Sequence, residues 1–242
     1  LPRRAHSFLA HLEQRRPREV SRLARPDRQP AETVQVIDFE TDFAKLLAAA
    51  STTRDRLLLS AQYDLGLRVG QALGLRHGDL NPMRRQVMIC RRDDNANGAL
   101  SKQKTQFIVD APRRFFDLYA AYLLGEIAHV DSDYVFVNLS RPPVGGPMTY
   151  SNAYQLIERI GAAAGIDDLN PHMLRHTHAT ALAKAGWTAA EIAARLGQSH
   201  SASADVYIHL ASDDLAEKLR HTEHLVWREP QQHRVKGDGD GA

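Results

Sequence analysis

Cysteine, long apolar runs and excess charge are all scarce in this 242-residue sequence. The single cysteine, Cys90, excludes an internal disulfide and any metal site built from several cysteines. No apolar stretch approaches the roughly 20 residues needed to cross a bilayer, and no signal-peptide pattern is visible. The net charge of +2 does not by itself indicate a nucleic-acid partner. We therefore expect a soluble protein of the reducing cytoplasm.

The charge is unevenly distributed, because residues 1–30 carry eight arginines against two glutamates and one aspartate. A basic segment of this kind fits contact with phosphates and release of their counterions. A solvated linker is an equally reasonable interpretation. The sequence leaves both open.

The chain is expected to divide near residue 31. Residues 7–14 have the pattern of the end of a helix, and the Pro- and Arg-rich stretch over 15–30 breaks regular structure as a linker does. One larger domain is predicted over 31–228, followed by a disordered tail rich in Gly and Asp over 229–242. Because the sequence begins with Leu1 rather than methionine, we expect a fragment of a longer protein.

The apolar spacing predicts a mainly α-helical fold with a small antiparallel sheet, the α+β class. Two short strands flank a polar turn over 93–98, Pro171 can open a helix that ends at Gly186, and Thr188 and Glu191 can form a capping box for the next helix. The predicted helices cover 43–50, 54–67, 69–77, 113–127, 151–164, 171–186, 189–197 and 213–225, and the predicted strands cover 86–90 and 106–109.

Two short stretches carry the residue types that phosphodiester chemistry requires. The first is Gly66-Leu67-Arg68, and the second is His172-x-x-Arg175, followed after 32 residues by Tyr207. Guanidinium groups bind phosphate oxygens bidentately, an imidazole moves protons, and a tyrosine oxygen can attack phosphorus. His172 and His176, four residues apart, could also form a metal pair, although no third ligand is evident.

Three strings together resemble the tyrosine site-specific recombinases of the phage integrase and Xer type. LGLRVGQALGLRHGDL resembles their first motif, HMLRHTHATALAKAG their His-x-x-Arg motif and LGQSHSASADVYIHL their tyrosine segment, in the same order over residues 31–225. The resemblance implies the DNA breaking-rejoining fold, with 31–228 as the catalytic domain and 1–30 as the end of a core-binding domain plus linker. It also implies strand cleavage without ATP, cofactor or metal.

The resemblance assigns four site residues directly. Arg68 and Arg175 match the arginines that hold the scissile phosphate, His172 matches the histidine of the second motif, and Tyr207 matches the nucleophile. The family's lysine lies in the hairpin, where Lys102 is the preferred match and Lys104 the alternative.

Two positions depart from the family pattern. Gln198 stands where His or Trp is usual, and its amide can donate a hydrogen bond to phosphate but carries no charge. His200 could replace it if the turn is shifted by two residues. Gln71, three residues after Arg68, stands where many relatives have Glu.

The implied partner is double-stranded DNA, bound by a homotetramer in the synaptic complex, with a monomer expected in the absence of DNA. Two alternatives remain open. One is a recombinase-like protein that binds DNA but cuts it poorly, given Gln198 and Gln71. The other is a helix-turn-helix regulator, because residues 189–197 and 202–210 could form such a pair.

Overall fold

Seven helices and a three-stranded sheet make up the part of the chain that the structure, a computed structural model, describes: residues 35–38, 41–99 and 106–198. The helices are α1 (Thr41–Ala49), α2 (Thr53–Tyr63), α3 (Val69–Leu73), α4 (Arg113–Gly125), α5 (Tyr150–Ala163), α6 (Pro171–Lys184) and α7 (Ala189–Arg195). The strands are β1 (Leu80–Asn81), β2 (Gln86–Ile89) and β3 (Phe107–Asp110). The end of a helix predicted over 7–14, the helix predicted over 213–225 and the tail predicted over 229–242 lie outside the described residues.

The sheet is antiparallel, in the order β1-β2-β3. Both predicted strands are confirmed as β2 and β3, with Val87 paired to Val109. The first strand was not predicted. It pairs Leu80 with Val87 over only two residues, which is too short to show an alternating pattern.

Helix α2 is central to the packing and contacts α4 and α6. Leu57, Leu58 and Leu59 are fully buried in succession, so the helix is covered on several sides. The helix ends at Tyr63, four residues before the predicted end. The reason is Gly66, whose φ of +66° cannot belong to a right-handed helix.

Helix α3 is shorter than the sequence predicts, whereas helix α6 begins where the sequence predicts. The prediction of one helix over 69–77 is wrong, because α3 stops at Leu73 and a 3₁₀ turn follows at His77–Asp79. Pro171 does open α6, where the Asn170 side chain accepts hydrogen bonds from the first backbone N–H groups. Past its C-cap, Gly186 has a φ of +89°.

The predicted capping box of α7 is confirmed. The Glu191 carboxylate accepts a hydrogen bond from the Thr188 N–H at 2.7 Å, and the Thr188 hydroxyl accepts one from the Glu191 N–H at 3.3 Å. Helix α7 then packs on α6 through a small apolar cluster: Ala179, Ala183, Ile192, Ala193 and Leu196.

Within the described residues, no helix combines the length and apolar character needed to cross a membrane.

Gly161 of α5 lies close to the loop that leads to α6. A Cβ atom there would lie 2.5 Å from Leu169 Cβ and 2.9 Å from the Ile166 carbonyl oxygen. Gly161→Ala is expected to lower the free energy of unfolding by about 1–3 kcal/mol, because backbone and a buried leucine would have to move. Urea unfolding measures this.

Gly125→Ala is the matched control, since nothing lies within 4 Å of the added Cβ at the end of α4. Its free energy of unfolding should equal that of the wild type or exceed it by roughly a few tenths of a kcal/mol, because alanine has a higher helix propensity than glycine. Equal stability of the two variants would contradict the close contact at Gly161.

Candidate active site

The segment between α2 and α3, residues 64–68 (the Gly66 loop), carries Arg68. Its first residue, Asp64, is 7% exposed and pairs with Arg114 of α4. The Ser60 hydroxyl donates to the same carboxylate, and Arg195 of α7 donates to the Asp64 carbonyl oxygen at 3.3 Å. The start of the loop is therefore tied to three helices.

Arg175 of α6 fixes the middle of the Gly66 loop. Its guanidinium donates to the Gly66 carbonyl oxygen at 2.5 Å and to the Leu196 carbonyl oxygen at 3.1 Å. The residue is only 3% exposed. A buried guanidinium that donates to two backbone carbonyls has a fixed orientation, which is the property that phosphate recognition requires.

Gly66 lies close to both His178 of α6 and Leu196 at the end of α7. A Cβ atom there would lie 2.6 Å from the His178 ring and 2.7 Å from Leu196 Cδ2. The positive φ and the lack of space both require glycine. The glycine of the Gly66-Leu67-Arg68 string thus has a structural cause.

Arg68 follows two residues later and is half-buried. Its backbone N–H donates to the side-chain oxygen of Gln71 at 2.8 Å, and Gln71 is 4% exposed. A glutamate carboxylate would accept the same hydrogen bond. The glutamine at position 71 therefore keeps the contact that holds the Arg68 backbone.

His172 and His176 lie one turn apart on α6, with ring centroids 6.3 Å from each other. His172 is exposed and His176 is half-buried. Burial lowers the pKa of His176, and the charges of His172 and Arg175 act in the same direction. Among the described residues, no group of three potential ligands surrounds this pair, so a metal site gains no support there.

Gln198 comes two residues after Leu196, whose carbonyl oxygen binds Arg175. Its N–H donates to the Ala193 carbonyl oxygen at 2.8 Å, which holds the backbone at the end of α7. Its side-chain oxygen is buried and accepts no hydrogen bond from the residues that the structure describes. The structure thus brings Arg68, Gln71, Arg175 and Gln198 onto connected segments.

Four of the predicted site residues lie outside the described residues: Lys102, Lys104, His200 and Tyr207. Their assignments stay predictions.

His178 is a residue that sequence reasoning missed. It is 8% exposed and lies against Gly66, and its Nε2 has no hydrogen-bond partner among the described residues. Burial, together with the charges of Arg195 and Arg175, lowers its pKa to about 3, although a hydrogen bond to the Tyr63 backbone acts in the opposite direction. The only signal in the sequence is its position three residues after Arg175, on the same helix face.

The pKa of His178 makes stability depend on pH. Below the pKa of about 6.5 that histidine has in the unfolded chain, the unfolded state binds a proton that the folded state does not. The free energy of unfolding therefore falls as pH drops below 6.5, by up to about 1.4 kcal/mol per pH unit for this one group.

His178→Gln should flatten this dependence, whatever it does to stability at neutral pH. Urea unfolding at pH 5, 6 and 7 should show the wild type losing roughly 1 kcal/mol more than the variant between pH 6 and 5. His129→Gln, which replaces an exposed histidine, is the matched control. Identical slopes for all three proteins would contradict the neutral, buried His178.

The chain is similar to proteins of a known family. Residues 39–213 match the model of the Phage integrase family. Transposase A from transposon Tn554 of Staphylococcus aureus is 35% identical over 173 residues, which are 71% of this chain and 48% of the transposase. The chain spans about half the length of the curated relatives it matches.

Two solved structures have a similar fold. The crystal structure of XerA recombinase superposes with a TM-score of 0.65 at 26% identity, covering 84% of this chain and 68% of XerA. XerH site-specific recombinase, bound to its difH substrate, has a TM-score of 0.61 at 22% identity, covering 79% and 54%. With a family match over residues 39–213 and this likeness of fold, the chain belongs to the phage integrase family and has the catalytic-domain fold of the tyrosine recombinases.

Proposed function

We propose that this chain contains the catalytic domain of a site-specific DNA recombinase that cuts and rejoins strands through a 3′-phosphotyrosyl intermediate. The observation that carries the proposal is the bond from the Arg175 guanidinium to the Gly66 carbonyl oxygen. It joins the two arginine motifs, 109 residues apart, at one place in the fold. Family membership supports the same conclusion.

The first step is attack of the Tyr207 oxygen on the scissile phosphorus. The O–P bond forms, the tyrosine proton passes to a base, for which His172 is the candidate, and negative charge grows on the phosphoryl oxygens. Arg68 and Arg175 stabilise that charge as donors whose positions are set before the reaction. Gln198 adds a neutral amide donor.

The bond from phosphorus to the 5′ oxygen then breaks, and the leaving oxygen takes a proton. Lys102 is assigned as the acid, with Lys104 as the alternative, since an ammonium gives up its proton when its pKa is lowered. The phosphotyrosyl link conserves the energy of the phosphodiester. The 5′ hydroxyl of another strand can therefore reseal the backbone without ATP, metal or cofactor.

The partner in this scheme is double-stranded DNA. XerH was crystallised with its difH substrate, and other structural relatives are DNA complexes of a transposon integrase and of lambda integrase. Strand exchange between two duplexes needs four active sites, so we expect a homotetramer in the synaptic complex and a monomer without DNA.

Tyr207→Phe should abolish covalent attachment to DNA and leave DNA binding largely intact, because only the attacking oxygen is removed. A randomised pool of nicked duplexes serves as substrate, since the short fragment beyond the cut diffuses away and the covalent complex accumulates. Attachment is measured as protein–DNA complex that survives SDS. Mass spectrometry of the DNA-linked peptide then identifies the attacked residue.

Tyr154→Phe, which removes a tyrosine hydroxyl from α5, is the matched control and should attach like the wild type. Attachment that persists in Tyr207→Phe would place the nucleophile elsewhere. A wild-type protein that binds DNA without attaching would instead favour the poorly cutting recombinase or the helix-turn-helix regulator.

The second test concerns Gln198. If its amide donates to the scissile phosphate, Gln198→Ala should slow cleavage by about 10- to 100-fold, the effect of losing one hydrogen bond to a charged group. Gln198→His should keep or raise the rate, and His200→Ala should change it little. A damaging His200→Ala with a silent Gln198→Ala would shift the assignment by two residues and make His200 the donor. The measurement is the rate of covalent attachment to the duplex that the wild type captures covalently from the randomised pool.

A further inference from the structure

A basic cleft lies between α5 and the loop over residues 138–148, remote from the Gly66 loop. Its volume is about 220 Å³, and its lining includes three arginines: Arg54, Arg141 and Arg159. Neutral donors lie beside them, with Asn152 and Gln155 of α5 among the lining residues. No carboxylate is among the residues that line it.

Arg54 is the fixed member of this group. Its Nε and Nη2 donate to one carboxylate oxygen of Asp55 at 2.8 and 2.6 Å, and its Nη1 donates to the Val137 carbonyl oxygen at 3.0 Å. A guanidinium has five N–H donors, so these three bonds leave one N–H on each terminal nitrogen. The Arg54 side chain is 13% exposed, and its position is therefore largely set without a ligand.

Arg141 and Arg159 supply the charge of the cleft. Asp55, 3% exposed, balances Arg54, whereas Arg141 and Arg159 are both exposed and add two positive charges to a lining without carboxylates. Asn152, Gln155 and Arg159 follow one another at helical spacings of three and four residues, so they share one face of α5. Several guanidinium and amide donors around a small cavity match an anion with several acceptor oxygens, and arginine forks bind phosphate oxygens bidentately.

The cleft is separate from the candidate active site. Arg54 begins α2, and the Gly66 loop follows its other end, so the rise of 1.5 Å per residue separates the two by about 15 Å. In a duplex, phosphates of one strand are about 3.4 Å apart along the axis. A separation of about 15 Å thus corresponds to only a few phosphate steps along one duplex.

We propose that this cleft binds a backbone phosphate of the DNA other than the phosphate that is cut. The inference rests on the proposed function for the identity of the polyanion, although the cleft's fit to an anion with several oxygens follows from its own residues. Free phosphate is the other possible source of the same group.

The test compares the whole chain with the double variant Arg141→Ala/Arg159→Ala. Arg113→Ala is the matched control, an exposed arginine on α4 outside the cleft lining. The dissociation constant for a 40-bp duplex of arbitrary sequence is measured between 50 and 200 mM salt. Loss of one phosphate contact should reduce the steepness of the plot of log dissociation constant against log salt by about 0.9 and weaken binding several-fold. The control should stay near the wild type. Thermal unfolding checks that all variants are folded.

A second measurement locates the phosphate on the duplex recovered by covalent capture. Single backbone phosphates are replaced in turn by neutral methylphosphonate. One position outside the cleavage site should cost the wild type affinity and cost the double variant none, which a purely structural role of the two arginines would not produce.

Equal salt slopes for the wild type, the double variant and the control would overturn the proposal. Binding of inorganic phosphate that the double variant loses, together with an unchanged DNA slope, would also overturn it and leave a site for a free anion. The salt dependence of binding can be measured without cleavage. If the protein never attaches to DNA but the double variant has the smaller salt dependence, the proposed function is refuted and the phosphate-binding role of the cleft is supported. Attachment with no slope change would do the reverse.

Discussion

The guanidinium of Arg175 is the group on which the candidate site depends most. It is buried, and burial of a charge is costly unless its donors are satisfied. The carbonyl oxygens that satisfy it belong to Gly66 and Leu196, which lie in two separate parts of the chain. One side chain thus sets the relative positions of the segments that carry Arg68 and Gln198.

The neighbouring contacts all act on the same short loop. Asp64 joins it to α4 and α7, and the contact of His178 with Gly66 leaves no room for a Cβ atom. Because His178 is kept neutral by burial, it fills this space without adding a third positive charge beside Arg175 and Arg195. The result is a loop whose backbone is fixed before any phosphate arrives, as catalysis by preorganised donors requires.

The sequence predicted the helices well where the apolar periodicity was long, and Pro171 and the Thr188–Glu191 capping box correctly marked where α6 and α7 begin. It failed where tertiary contacts decide the outcome. The end of α2 at Tyr63 follows from the conformation of Gly66, and the two-residue strand β1 exists only because β2 pairs with it.

The same limit applies to the site. The spacing of His172 and Arg175 put both on one side of α6, but it could not show that one is exposed and the other buried. It also could not reveal His178 or the use of the Gln71 side chain to hold the Arg68 backbone, since both depend on segments that meet only in the folded chain.

The hydroxyl of Thr177 has a consequence for where this domain can be shortened. It accepts a hydrogen bond from the Ile37 N–H at 3.0 Å and donates to the Met173 carbonyl oxygen at 2.8 Å, while Ile37 itself is buried in the core. The segment just ahead of α1, which contains Ile37, is therefore docked on the helix that bears Arg175. A trimmed protein starting at Thr41 would expose that docking position and loosen α6, so expression boundaries belong upstream of residue 35.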